Sequence, residues 1–230
     1  TGKKAKVSVS SFYFHLENEI IDLQRELSSG SYRPMAYTQF EIREPKVRQI
    51  CSSEFRDRVV HHAICNLIEP VFASRAIEDS YACRINKGSH IAVVRCQKFS
   101  RKFRYYLKCD IRKFFDSIDH ATLKHLLRRA FKDEKLLTLL NLIIDHKVPG
   151  SEYGCGLPIG NLTSQHFANF YLGELDHFIK DRKRVKGYVR YMDDFISFAN
   201  DKESLHQLLA EIRSFVRVRL KLELKESVTT

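Results

Sequence analysis

Leu16, Ile20, Leu23 and Leu27 recur at intervals of three and four, which places them on one face of a helix that Ser28-Ser29-Gly30 and the following Tyr-Arg-Pro bring to a stop. Phe40 to Lys46 alternates apolar and polar residues as a strand does. A helix from Glu54 to Glu69 is then expected to bury Phe55, Val59, Ala63 and Leu67. Tyr105 to Ile111 reads as a strand, and Asp119 as the N-cap of a helix carrying Leu123, Leu126, Leu127 and Ala130. Another helix is expected over about 134–147, a loop at Gly150, Gly154, Gly156 and Pro158, and a helix from Thr163 to about Lys180 bearing Phe167, Phe170, Tyr171 and Leu175. Two short strand-like segments, Gly187 to Arg190 and Phe195 to Ala199, flank a turn. Leu205, Leu208, Leu209, Ile212, Phe215 and Val216 predict a last amphipathic helix, and Leu220 to Leu224 alternates as a closing strand. Strands separated by helices describe an α+β fold, an antiparallel sheet with helices on one face. No internal repeat or low-complexity linker interrupts it.

Composition narrows the class. A chain of 230 residues suits one large domain or two intimately packed subdomains, and 39 Lys+Arg against 28 Asp+Glu leave a net charge of +11 with a pI near 9.4. That excess is the footprint of a polyanion partner, nucleic acid first. It is concentrated in Arg95, Lys98, Arg101, Lys102, Arg104, Lys108, Arg112 and Lys113, interleaved with Phe99, Phe103, Tyr105 and Tyr106, and again from Lys180 to Arg190. Six widely spaced cysteines form no Cys-x-x-Cys pair, which excludes a zinc ribbon and reads as small buried residues in a reducing cytoplasm. The first residues carry no hydrophobic leader and no run of eighteen apolar residues occurs, so the expectation is a cytoplasmic protein without a membrane partner. The start without Met suggests a fragment of a longer chain.

The densest chemistry is Tyr191-Met192-Asp193-Asp194, set in the turn between the two short strands. Adjacent carboxylates repel, and on a basic protein their natural compensation is a divalent cation held by hard oxygen ligands. Asp110 ends the strand Leu-Lys-Cys-Asp, so an antiparallel sheet could bring it to the same turn. Two metals held ~3.5–4 Å apart by such a pair could activate a primer hydroxyl and neutralise pyrophosphate. Because side chains alternate along a strand, Asp193 is assigned the bridging role and Asp194 a supporting one.

Six blocks in order, Glu44-Pro-Lys-Val-Arg-Gln-Ile, Phe55-Arg-Asp-Arg-Val-Val, Tyr81-Ala-Cys-Arg-Ile-Asn-Lys-Gly, Asp110-Ile-Arg-Lys-Phe-Phe-Asp-Ser-Ile, Leu157-Pro-Ile-Gly-Asn-Leu-Thr-Ser-Gln and Tyr191-Met-Asp-Asp, resemble the successive fingers and palm motifs of reverse transcriptases. The resemblance spans nearly the whole chain. Within that family Ile-Gly-Asn-Leu-Thr-Ser-Gln is similar to the enzymes of diversity-generating retroelements, where retroviral and most group II intron enzymes carry Gln-Gly and end the block in Ser-Pro. It implies a right-hand polymerase with residues 1–104 mainly fingers, 105–230 mainly palm with 132–156 as a connection, and a thumb missing or truncated. It further implies an RNA template, a DNA or RNA primer, deoxynucleotides, Mg²⁺ (or Mn²⁺) and a small basic accessory protein that forms a pentamer.

The resemblance also carries roles onto residues. Metal would be held by Asp110, Ile111, Asp193 and Asp194. Lys46 and Arg48 match cations that grip the triphosphate, Phe115 matches the steric gate against a ribose 2′-hydroxyl, and Ile159 and Gly160 lie beside the nucleotide, Gly160 letting backbone approach closely. Arg56, Arg84, Asn161, Gln165, Tyr191 and Met192 match template and primer contacts, with Ser164 offering a hydroxyl nearby and Lys87-Gly88 in the same fingers segment as Arg84. Ile159 cannot make the hydrogen bond that Gln would, which implies loosened discrimination and mutagenic copying with errors at template adenines. His61 and His62 are expected to be packing or RNA contacts. The rival readings are a group II intron or defence-associated reverse transcriptase, a non-catalytic RNA-binding palm scaffold and a two-metal nuclease; the fingers cations and Phe115 have no obvious purpose in the last.

Overall fold

A computed structural model describes residues 7–43 and 47–226. Helices α1 (Val7–Phe14) and α2 (Leu16–Ser29) come first, followed by an antiparallel hairpin of β1 (Thr38–Arg43) and β2 (Val47–Ser52) and the long α3 (Phe55–Arg75). The hairpin pairs Ile42 with Arg48 and exposes Phe40, Ile42 and Val47. Helix α4 (Ser89–Ser100) leads into β3 (Tyr105–Cys109), a short α5 (Phe114–Ser117), α6 (His120–Ala130) and α7 (Glu134–Asp145). Asp119 caps α6 as the sequence predicts, accepting from the Thr122 N–H at 2.8 Å. Then come α8 (Leu162–His177), continued by a π-helical turn over Phe178–Arg182, the hairpin of β4 (Gly187–Tyr191) and β5 (Asp194–Ala199), and α9 (Lys202–Leu220).

The second sheet is antiparallel in the order β3-β5-β4. Leu107, Cys109, Tyr188 and Phe195 point from it into the main core, which they share with Phe167, Tyr171 and Leu175 of α8 and Ile212 and Val216 of α9. This is the helix layer that the pattern predicts. On the other face, where the pattern places no helix, α4 packs Ala92 and Phe99 against Val189, Ile196 and Phe198, while Tyr106 and Lys108 of β3 stay open.

Two elements differ from the pattern. Along α3 the buried stripe is Val60, Ile64, Ile68 and Phe72, whereas Leu67 is 64 % exposed, and the helix runs on through Pro70 to Arg75. Both stripes have helical spacing, and packing on α8 selects between them. The expected closing strand is also absent. Leu220 continues the stripe of Leu208, Ile212 and Val216, so α9 takes it, and Lys221 in the left-handed region (φ 51°) ends the helix. Beyond Lys221 the chain runs as an extended strap joined to the sheet by one bridge, Leu224 with Ile111. All six cysteines are free, three of them buried.

Candidate active site

Register brings the acids together. Cys109 and Arg190 both pair with Phe195, so Asp110, one residue beyond β3, and the turn Tyr191 to Asp194 share one end of the sheet. Burial raises the Asp193 carboxyl above the ordinary carboxylate range. A bond to its own backbone works against this, and the charges of Asp110 and Asp194, with a hydrogen bond to Asp110, add to the rise. Asp194 points elsewhere, exposed, with Lys108 Nζ 3.8 Å from its Oδ1. Lys225 Nζ donates to Asp110 Oδ2 at 3.0 Å. Among the described residues no group of three His, Cys, Asp or Glu is gathered as a metal cage. Instead one end of the sheet gathers the carboxylates of Asp110 and Asp193, a pair of like charges and hard oxygen donors of which only Asp110 has a cation, Lys225, in contact among the described residues. That donor set fits a divalent cation whose remaining ligands come from water or substrate. Ile111 is buried beside them and offers no side-chain donor.

The turn itself stands on a polar network that the sequence pattern did not reveal. Arg190, 1 % exposed, donates from Nε and Nη2 to the two oxygens of Asp176 on α8, both at 2.7 Å. Its Nη1 donates to the Met192 carbonyl at 3.0 Å and to Asn169 Oδ1 at 2.9 Å, and the Tyr188 hydroxyl donates to Asp176 at 2.8 Å. Met192 has φ 53°, a conformation held here by the bond to its carbonyl. Arg190 therefore does not belong to the solvated cluster from Lys180 onward. The signal was available: a lone cation inside Gly-Tyr-Val-Arg-Tyr, otherwise a buried strand pattern. A cleft of about 840 Å³ between α3 and α8 has Arg190 and Asp176 in its wall and none of the three carboxylates, so it is separate from this site.

Other expected site residues divide by what holds them. Lys46 lies outside the described residues; Arg48 is exposed on β2. Phe114 is 3 % exposed, and Phe115, packed edge-on to it at 5.6 Å, is only partly buried. Gln165 and Tyr191 are exposed and Met192 half-buried. Asn161 departs from the expectation: it is 2 % exposed, accepts from Ser53 Oγ at 2.7 Å and donates to Tyr37 at 3.3 Å, so its amide faces protein rather than template. Ser164 is buried likewise. Arg56 is held by Glu26 at 2.6 Å, and Arg84 donates to the carbonyls of Ile77 and Ser80 at 2.6 and 2.7 Å. Gly160 is required by the protein's own backbone. At φ +125° a Cβ there would lie 2.6 Å from the Cys51 carbonyl oxygen, where β2 reaches the loop by a bond from Cys51 N–H to the half-buried Ile159. His61 is buried packing, as one of its two expected roles has it.

The basic run is divided too. Arg95 pairs with Asp79 at 2.8 Å, and Phe99 and Phe103 pack against Phe198, which leaves Lys98, Arg101, Lys102, Arg104, Tyr106 and Lys108 exposed, with Arg112 and Lys113 exposed beyond β3.

Residues 29–227 match the family profile described as reverse transcriptase (RNA-dependent DNA polymerase). The chain belongs to the reverse transcriptase family. It is 24% identical to the group II intron-encoded protein LtrA of Lactococcus lactis subsp. cremoris, over 93% of this chain and 47% of that protein. It is 25% identical to protein YkfC of Escherichia coli over 92% of this chain and 67% of the relative. The chain thus spans about half the length of the Lactococcus protein. In structure it is similar to apo telomerase of Candida tropicalis truncated from its C-terminal domain, with a TM-score of 0.64 and 13% identity over 84% of this chain and 49% of that one, a likeness of fold. Asp110 and the Tyr191 to Asp194 turn converge at one end of the antiparallel sheet. No helix among the described residues is long and apolar enough to cross a membrane.

Proposed function

We propose that this chain is the polymerising part of an RNA-directed DNA polymerase, which extends a DNA or RNA primer with deoxynucleotides along an RNA template. The observation that carries the reading is the pressing of Asp193 against Asp110 by sheet register in a chain of this family. Asp110 and Asp193 would hold the metal, with Ile111 and Asp194 in support. Bound Mg²⁺ or Mn²⁺ supplies Lewis-acid activation of the primer hydroxyl and charge neutralisation at the leaving pyrophosphate. Lys46 and Arg48, the latter exposed on β2, take the triphosphate. Phe115, left partly open where Phe114 is buried, is the sugar gate. Gln165, Tyr191 and Met192 face template and primer, and the exposed stripe from Lys98 to Lys108 takes backbone phosphates. Arg56, Arg84 and Asn161 serve as supports for these surfaces. Residues 1–104 act mainly as fingers and 105–230 mainly as palm, with 132–156 connecting them.

The finer reading is a mutagenic enzyme of a diversity-generating retroelement, working in the cytoplasm with a small basic accessory pentamer. Its support is Ile159-Gly160-Asn161 followed by Leu-Thr-Ser-Gln. A group II intron type is the second reading, favoured by the similarity to LtrA. Primer extension on RNA and DNA templates with product sequencing tests both. Asp110→Asn and Asp193→Asn are expected to abolish synthesis while RNA binding persists, and substantial residual activity in either overturns the site. Errors concentrated at template adenines, falling roughly fivefold to tenfold in Ile159→Gln, support the mutagenic subtype. A flat error spectrum supports the intron type.

A further inference from the structure

The strap after α9 is locked onto the carboxylate site in a single register. Leu222 is buried, and its N–H donates to the Val216 carbonyl at 2.9 Å. Leu224 bridges Ile111, the Arg112 N–H donates to the Glu223 carbonyl at 2.8 Å, and the Lys225 N–H donates to the Asp110 carbonyl at 2.9 Å. In an extended chain alternate residues share a side, so Glu223 and Lys225 lie opposite Leu222 and Leu224. These two, and Lys221 at the end of α9, are each paired with a partner of opposite charge. Lys221 Nζ is 3.0 Å from Asp119 Oδ1, Arg112 Nη1 is 3.3 Å from Glu223 Oε2, and Lys225 Nζ is 3.0 Å from Asp110 Oδ2. A slip of one residue would turn the leucines outward and reverse the charge matching.

We propose that Lys225 is the resident counter-cation of Asp110 and sets the divalent-metal affinity of the carboxylate pair by competing with the metal for the same oxygen. The inference rests on the metal reading of that pair. The main-chain bonds of the strap deliver an ammonium to Asp110 whether or not a metal is present. A divalent ion that takes Oδ2 has to displace it and then tolerate a positive charge nearby. Because Lys225 is 45 % and Asp110 27 % exposed, screening keeps the effect modest, on the order of threefold to tenfold in affinity. The arrangement keeps Asp110 aimed and neutralised before the metal arrives and holds metal occupancy responsive to metal concentration.

The test is titration with Mn²⁺ alone at fixed ionic strength, with free Mn²⁺ read by electron paramagnetic resonance. Lys225→Met keeps the strap's main-chain bonds and most of the side-chain stem, and is expected to bind Mn²⁺ threefold to tenfold more tightly than wild type. Lys225→Arg, which retains the charge, should restore wild-type affinity. Lys221→Met breaks an ion pair of the same strap at Asp119 and should leave Mn²⁺ affinity unchanged. Equal or weaker binding by Lys225→Met overturns the proposal, as does the same tightening in Lys221→Met, which would mean that loosening of the strap is responsible. The two readings fail separately. Mn²⁺ binding that is lost in Asp193→Asn yet indifferent to Lys225→Met overturns only the counter-cation role; binding indifferent to Asp193→Asn overturns the metal site along with it.

Discussion

Arg190 and Asp176 close on each other through two hydrogen bonds of 2.7 Å, at 1 % and 0 % side-chain exposure, and the same guanidinium reaches the Met192 carbonyl in the carboxylate turn. The pair ties the turn to α8. A buried ion pair of this kind adds little net stability against an apolar replacement of both partners, but removal of one leaves the other charged and stranded. Arg190→Met is therefore expected to destabilise the protein by about 3–5 kcal/mol and to lower DNA synthesis even at temperatures where the chain stays folded. Urea unfolding read beside primer extension checks this. A loss under about 1 kcal/mol would mean that the turn is held by other contacts.

Phe114 is buried and Phe115 partly open, so the proposed sugar gate can be told apart from packing. Phe114→Ala empties a core position and is expected to cost about 3–5 kcal/mol without changing sugar selection. Phe115→Ala should cost less and admit ribonucleotides. Steady-state incorporation of ribo- against deoxynucleotides distinguishes them, and a selectivity change confined to Phe114→Ala would transfer the gate to that ring.

Gly160→Ala and Gly150→Ala make a matched pair. Both glycines have positive φ, but a Cβ at Gly150 meets nothing within 4 Å whereas one at Gly160 meets the Cys51 carbonyl oxygen at 2.6 Å. The expected losses are about 1–2 kcal/mol at Gly150 and clearly more at Gly160, where the β2 contact has to shift as well. Equal losses in chemical denaturation would show that the loop moves away from β2 freely.

His61 supplies a pH dependence. Burial depresses its imidazole to about 4; nearby Asp57 opposes the shift, and His146 and His62 add to it. A histidine kept neutral in the fold binds fewer protons than the unfolded chain does below pH 6.5. Stability from this group is thus complete above about 6.5 and is lost as pH falls toward 4, by roughly 3 kcal/mol in all. His61→Gln should flatten the change in urea midpoint between pH 7 and pH 4.5. An unchanged slope would assign the acid sensitivity to other groups.

How far the sequence reached depended on the range of the interaction being read. The cap at Asp119, the hairpin on either side of Met192 and the stripe of α9 were legible because spacing and capping act between residues a few positions apart. So were the carboxylates themselves, since Tyr191-Met192-Asp193-Asp194 and Asp110 each sit at the end of a recognisable strand. The face that α3 buries was not legible, because two equally periodic stripes differ only in what α8 covers. Nor was the fate of the polar groups. Arg190 counted as a surface cation until Asp176, fourteen positions earlier in the chain, was found opposite it, and Asn161 as a template contact until Ser53 and Tyr37 filled its hydrogen bonds. Gly160 marked a close approach in the sequence, but only the tertiary structure decided that the neighbour is β2. Lys225 lies 115 residues from Asp110, and their meeting depends on how the strap after α9 is laid along the sheet, a register that nonlocal hydrogen bonds and the packing of Leu222 and Leu224 set together.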